Sequence, residues 1–167
     1  MGTFIFSLNY VLNNEGGYSD NPNDSGGATN YGITLAEAKR FGIETKDALK
    51  NISMDMVTQI YRKDYWFMDG IVNNQVASKY FDMVVNMGKH QATLLLQRAC
   101  TSLQGKLVED GIYGPNTEKV VNCIDHDLLL PALVDQCVTF YKGLVDAKPK
   151  NGVFLKGWLT RARRIPR

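Results

Sequence analysis

Glu15-Gly16-Gly17-Tyr18-Ser19-Asp20-Asn21-Pro22-Asn23-Asp24-Ser25-Gly26-Gly27-Ala28-Thr29-Asn30-Tyr31-Gly32-Ile33-Thr34 is the stretch on which the fold turns. It is rich in Gly, Asn, Asp, Ser and Pro, the residues of tight turns and irregular backbone. A loop this long inside a compact chain is either functional or disordered. Tyr18, Tyr31 and Ile33 break up the polar run, and helical patterns bracket it, so an ordered, functional loop is expected. It carries two carboxylates, Glu15 and Asp24, and a hydroxyl, Thr29. Such a set can supply a general acid, a group to activate or orient water, and a hydrogen bond to hold that water.

Before the loop, residues 4–14 read as a helix. Phe4, Leu8, Val11 and Leu12 fall on one face at helical spacing. Asn13, Asn14 and Gly16-Gly17 end it, which puts Glu15 at the C-terminal end of an apolar helix. Burial and the negative end of a helix dipole both favour an uncharged carboxyl, the form a general acid needs. The plainer alternative is an exposed Glu at a frayed helix end. Within the loop, strand-like pairing stays open.

After the loop, Thr34-Leu35-Ala36-Glu37 reads as a capping box opening a helix that Gly42 stops. Ile43 to Ile52 reads as a short connection. Ser53 caps a helix from Met54 to about Phe67, which contains Tyr61-Arg62-Lys63-Asp64-Tyr65-Trp66. Its aromatics suit a core, or the wall of a cleft that stacks sugar rings. Asn74 caps the next helix and Gly88 ends it. Val76, Tyr80, Phe81, Val84, Val85 and Met87 wrap most of its circumference, as in a buried central helix. Asp82 and Asn86 share one face of it, towards solvent or towards a cleft.

Ala92, Leu95, Leu96, Ala99, Cys100 and Leu103 form a further helical stripe, ending at Gly105. Glu109 to Pro115 is turn chemistry, and Pro115 suits the first position of the following helix. Asp127 caps another, with Pro131 in its first turn. About seven helices and no alternating strands are expected. The fold class is all-α: a helical globule with a long active-site loop after helix one.

The chain has 167 residues, 44% of them apolar, and a net charge of +2. That length suits one domain, or one with a small appended lobe, and folds without a metal or disulfide. From Lys148 to Arg167 there are seven basic residues and no acidic one. This is either a solvated tail or a patch attracted to an anionic polymer. Cys100, Cys123 and Cys137 read as buried free thiols made in a reducing compartment. His90 and His126 lack metal-ligand spacing, so no metal and no cofactor is expected. The opening residues lack a basic n-region and a cleavage site, so no signal peptide is expected. No apolar run is read as approaching the roughly 20 residues of a membrane span.

Glu15-Gly16-Gly17-Tyr18, Pro22, Asp24, Gly26-Gly27, Thr29 and Gly32-Ile33 together resemble the opening motif of glycoside hydrolase family 108. The resemblance continues through Tyr61 to Trp66 and through Phe81 to Gly88. It extends to Leu96-Gln97 and to Val108 through Thr117, in the part linked with peptidoglycan binding in that family, and closes near Phe154 to Arg161. The family is one of N-acetylmuramidases of the lysozyme-like superfamily, found as phage endolysins and in bacterial genomes.

The resemblance implies Glu15 as the catalytic acid, with Asp24 and Thr29 holding and activating water. Tyr18, Tyr31, Tyr61, Tyr65 and Asn86 are expected to bind substrate. Residues 1–90 would form the muramidase part, and residues 91–167 a peptidoglycan-binding-like part packed into the same globule. The expected partner is peptidoglycan polysaccharide. No nucleic acid and no stable membrane association are expected. The protein is expected to be a monomer, made in the cytoplasm and acting on the wall after release by a holin or by export. The rival readings are a lytic transglycosylase and a non-catalytic wall-binding or secretion-regulating module.

Overall fold

The structure is a computed structural model, and it describes residues 2–20 and 27–167. Among the described residues it is all-α apart from one short hairpin. Nine α-helices are present among the described residues. The chain divides into two compact units. One is Leu8–Phe67; the other joins Met1–Ser7 to Met68–Arg167.

The helix predicted at the start spans Gly2–Leu12 (α1); its residues from Leu8 onward belong to the unit Leu8–Phe67, and Leu8 and Val11 are buried. Helical hydrogen bonding runs on past its end. The Glu15 amide donates to the Val11 carbonyl at 3.1 Å and to that of Leu12 at 3.3 Å. The loop then returns as a hairpin. Thr29–Asn30 (β1) pairs antiparallel with Ile33–Thr34 (β2), Thr29 opposite Thr34. Thr29 also exchanges two backbone hydrogen bonds with Ser19, at 2.8 and 2.9 Å.

Thr34 and Glu37 form the predicted capping box at the start of Leu35–Lys39 (α2). The segment Ile43–Ile52 is not a plain connection. Thr45 caps a short helix, Lys46–Lys50 (α3), by accepting from the Ala48 amide. Asn30 is buried, and its side-chain amide donates to the Leu49 and Lys50 carbonyls at 3.0 and 3.1 Å. A helix this short is marginal alone, and its exposed C-terminal carbonyls need partners. That support comes from a residue 19 positions away, so local pattern does not reveal it. The helix from Ser53 is Met54–Asp64 (α4), shorter than expected. The Tyr65 and Trp66 amides both donate to the Tyr61 carbonyl, which ends the helix and turns Trp66 into the core.

The other unit is built on Asn74–Met87 (α5), the buried helix expected from its all-round apolar pattern. Asn73, not Asn74, caps it. Lys89–Ser102 (α6), Pro115–Cys123 (α7), His126–Ala147 (α8) and Gly152–Arg163 (α9) follow. α5 and α6 pack together, and both pack on α8, which also packs on α9. Asp125 rather than Asp127 caps α8, so Pro131 lies beyond its first turn. By length and composition α8 could cross a membrane, against the expectation that no apolar run comes near that length. Its Leu129, Leu130, Leu133, Cys137 and Tyr141 are buried within the protein.

The basic C-terminal stretch is not a frayed tail, because most of it forms α9. Lys79 is 1% exposed, and its ammonium donates to the carbonyls of Arg161, Ala162 and Arg164 at 3.4, 2.6 and 2.9 Å. Arg161 and Ala162 lie in the last turn of α9 and Arg164 is its C-cap, so the ammonium caps the end of that helix. Burial pulls the Lys79 ammonium pKa below its usual value. Arg161 donates through Nε and Nη2 to Oδ1 of Asp82, at 3.1 and 3.0 Å. Asp82 therefore pairs inside this unit and does not face solvent. Of the three cysteines, Cys100 and Cys137 are buried, but Cys123 is exposed, which corrects the expectation of three buried thiols.

Candidate active site

The end of α1 places Glu15. The two glycines after it release the chain from the helix, and Glu15 is half-buried rather than exposed. What it meets is the turn of the hairpin. Tyr31 and Gly32 join β1 to β2, with φ of 51° and 74°. Two consecutive left-handed residues are what a two-residue type I′ turn requires. Gly32 adopts that conformation without steric cost, whereas Tyr31 does not.

Two observations explain why the turn persists with a tyrosine in it. The Tyr61 hydroxyl donates to the Tyr31 carbonyl at 2.8 Å. Tyr61 itself is fixed in the core of the unit on α4, with its ring against that of Tyr65 at 5.4 Å.

The bare backbone at position 32 is a contact surface. A Cβ there would stand 2.8 Å from Oε2 of Glu15, 3.1 Å from its Cδ and 3.2 Å from the Tyr61 hydroxyl. The Glu15 carboxyl, the Gly32 backbone and the Tyr61 hydroxyl are thus gathered at one point. Gly16 and Gly17 have no such neighbours. The glycine whose lack of a side chain matters to Glu15 is therefore Gly32, 17 residues downstream. Its role was not legible in the sequence beyond its place in the motif.

The other expected site residues are placed as follows. Thr29 is in β1, half-buried; its backbone N–H and C=O bond to Ser19, and it stands opposite Thr34 in the hairpin. Asp24 lies outside the described residues. Tyr18 is half-buried, with the Lys50 ammonium 5.8 Å from its ring centre. Tyr61 is almost fully buried, so little of its ring is open to a ligand. Tyr65 is half-buried and its hydroxyl donates to Glu37, the capping-box carboxylate of α2. Burial works to raise the Glu37 pKa, but the hydrogen bonds from Tyr65 and Thr34 outweigh it and lower it overall. Burial and the same carboxylate raise that of Tyr65. In the other unit, Asn86 is exposed, and its amide donates to the Tyr141 hydroxyl at 2.7 Å. No cluster of three His, Cys, Asp or Glu side chains that could hold a metal occurs among the described residues.

Known proteins carry the same pattern. Residues 8–88 match the family model described as Glycosyl hydrolase 108. Residues 91–163 match one described as Predicted Peptidoglycan domain. Among curated proteins nothing matches. Among solved structures, one titled "Structure of Brucella abortus SagA" is 32% identical, with a TM-score of 0.75. The match covers 96% of this chain and 90% of that one. The likeness thus spans the Glu15 loop and the helices that follow it, and the chain belongs to glycoside hydrolase family 108, a glycosidase that acts on peptidoglycan.

Proposed function

We propose that the protein is an N-acetylmuramidase. It hydrolyses the β-1,4 bond between N-acetylmuramic acid and N-acetylglucosamine, with Glu15 as general acid. The observation that carries this reading is the seating of the Glu15 carboxyl against the Tyr31–Gly32 turn. A general acid must be held in one place beside the leaving oxygen. A carboxyl packed on rigid backbone, on a turn itself anchored from α4, meets that need.

In the proposed reaction Glu15 gives its proton to the glycosidic oxygen as the C–O bond breaks. Positive charge develops on the ring as an oxocarbenium-like state. Water attacks the anomeric carbon and loses a proton to Asp24, with Thr29 accepting a hydrogen bond from that water or donating one to it. The two carboxyls then exchange protons with solvent, and the cycle closes. This is the inverting arrangement, which needs room for water between the two carboxyls. The enzyme works on the wall after release or export from the cytoplasm.

Release of reducing ends from purified peptidoglycan tests this. Wild type is expected to release them steadily, and Asp24→Asn much more slowly. Full turnover by Asp24→Asn would remove the water-activating role and leave Glu15 working nearly alone.

A further inference from the structure

A groove of about 680 Å³ opens between α7, the end of α6 and the segment 103–114. Its volume lies in the range of ligand sites. It is well away in the chain from Glu15, within the residues that match the peptidoglycan-domain model.

The groove is held open by a buried polar clamp. Gln97 is 1% exposed. Its amide nitrogen donates to Oδ1 of Asp110, the Ile112 carbonyl and the Thr117 hydroxyl, and its oxygen accepts from the Gly111 amide at 2.8 Å. A segment without secondary structure is thereby fixed at three consecutive residues, 110–112, and tied to Thr117 of α7. Gly111 has φ of 70°, and a Cβ there would stand 2.6 Å from the His90 ring. The cavity is therefore preformed, which limits the ordering cost of binding.

Its lining says what it takes. No Phe, Tyr or Trp is among the lining residues, although aromatic faces are what sugar rings stack on. The walls are instead aliphatic, including Val108 and Ile112, 76% and 67% exposed. Three charged residues line the groove: Lys106, Lys119 and Asp110. Asp110 is already committed, since its carboxylate accepts from Gln97 and from the Ile112 amide, and these bonds lower its pKa. Neither lysine makes an ion pair among the described residues. Aliphatic walls with two available cations suit a short peptide that carries methyl groups and carboxylates.

We propose that this groove binds the peptide stem of peptidoglycan, not its glycan strand. The inference rests on the reading of the chain as a peptidoglycan-acting enzyme. It adds a second point of attachment, which recognises the substituent that every uncut repeat carries. A bivalent hold on the wall raises the effective concentration of glycan at the first site.

The test uses the full chain with Glu15→Gln, to prevent turnover, and three probes. These are whole sacculi, the tetrapeptide stem freed by an amidase, and peptide-free glycan chains. The stem is expected to bind saturably, and more weakly as salt rises. In a Lys106→Glu, Lys119→Glu variant its affinity is expected to fall about tenfold or more, because two attractive charges become repulsive. Lys106→Arg, Lys119→Arg should restore it. The lysines are exposed, so unchanged circular dichroism separates lost binding from lost folding. Binding to peptide-free glycan and none to the stem would overturn the inference, as would stem binding indifferent to both lysines. If the chain ignores sacculi altogether, the peptidoglycan reading fails with it. Binding to sacculi but not to the stem sinks the groove assignment alone.

Discussion

At the scale of single residues, the proposed reaction depends on how the Glu15 carboxyl is positioned. A methyl group at Gly32 would meet the Glu15 carboxyl at 2.8 Å. The carboxyl is the free end of a flexible side chain, so it would swing away rather than break the fold. We expect Gly32→Ala to lower kcat on the order of a hundredfold, as displacement of a catalytic group by about 1 Å does. The left-handed φ adds roughly 1 kcal/mol of destabilisation. Steady-state kinetics beside a urea melt would separate the two effects. Equal losses in both would mean that Gly32 serves only the turn. Tyr61→Phe removes the donor to the Tyr31 carbonyl and should cost about 1 kcal/mol. Its kcat should fall while KM holds, since Tyr61 acts through the turn; a rise in KM alone would instead make Tyr61 a substrate contact. At this scale the sequence was only partly readable. Glu15 could be placed because it follows an apolar helix closed by two glycines. The approach of Gly32 to it, and the hold of Tyr61 on the Tyr31–Gly32 turn, depend on chain crossings that no local pattern encodes.

At the scale of elements, the clearest departure is the C-terminal basic stretch. Its composition read as a solvated tail or as a patch attracted to an anionic polymer, and neither reading included a docked helix. What holds α9 is α5, where Lys79 and Asp82 are buried at 1% and 2% exposure. Lys79 and Asp82 stand among apolar neighbours in the sequence, and nothing local to them shows their partners some 80 residues away. Removing the carboxylate would leave the Lys79 and Arg161 cations side by side in a poorly solvated place. We expect Asp82→Asn to cost about 3 kcal/mol, in the range for breaking a buried pair. Hydrogen exchange should show protection lost first along α9. Unchanged protection there, at unchanged stability, would mean that α9 is held by the stacking of Trp158 on Tyr141 of α8, ring centres 5.3 Å apart. Elements with strong local signals were legible: the Thr34–Glu37 capping box, the Ser53 cap and Pro115 at the head of α7. α3 was missed because its C-terminal support comes from Asn30, across the hairpin.

At the scale of the whole molecule, the thiols report on folding. Cys123 is exposed, and Cys100 and Cys137 are buried. One thiol per chain should react quickly with a disulfide reagent, and the other two only on unfolding. Burial pushes the Cys100 thiol up to about 12 and that of Cys137 to about 11, from 9.0. The folded state therefore keeps these protons where the unfolded chain loses them. Their contribution is intact below pH 9 and is lost as pH rises from 9 towards those values. Each thiol should remove about 1.4 kcal/mol of stability per pH unit in that window. A Cys100→Ala, Cys137→Ala variant should show a shallower alkaline decline, and an unchanged slope would assign the decline to other groups. The claim that joins these scales is that Glu15 protonates a glycosidic oxygen and water completes the cleavage. Mass spectrometry of the soluble products from purified peptidoglycan, with wild type and Glu15→Gln in parallel, tests it most directly. Wild type is expected to yield reducing N-acetylmuramic acid ends, and the variant, which keeps its helical circular dichroism, no products. Products one water lighter, or full activity from a folded Glu15→Gln variant, would contradict it.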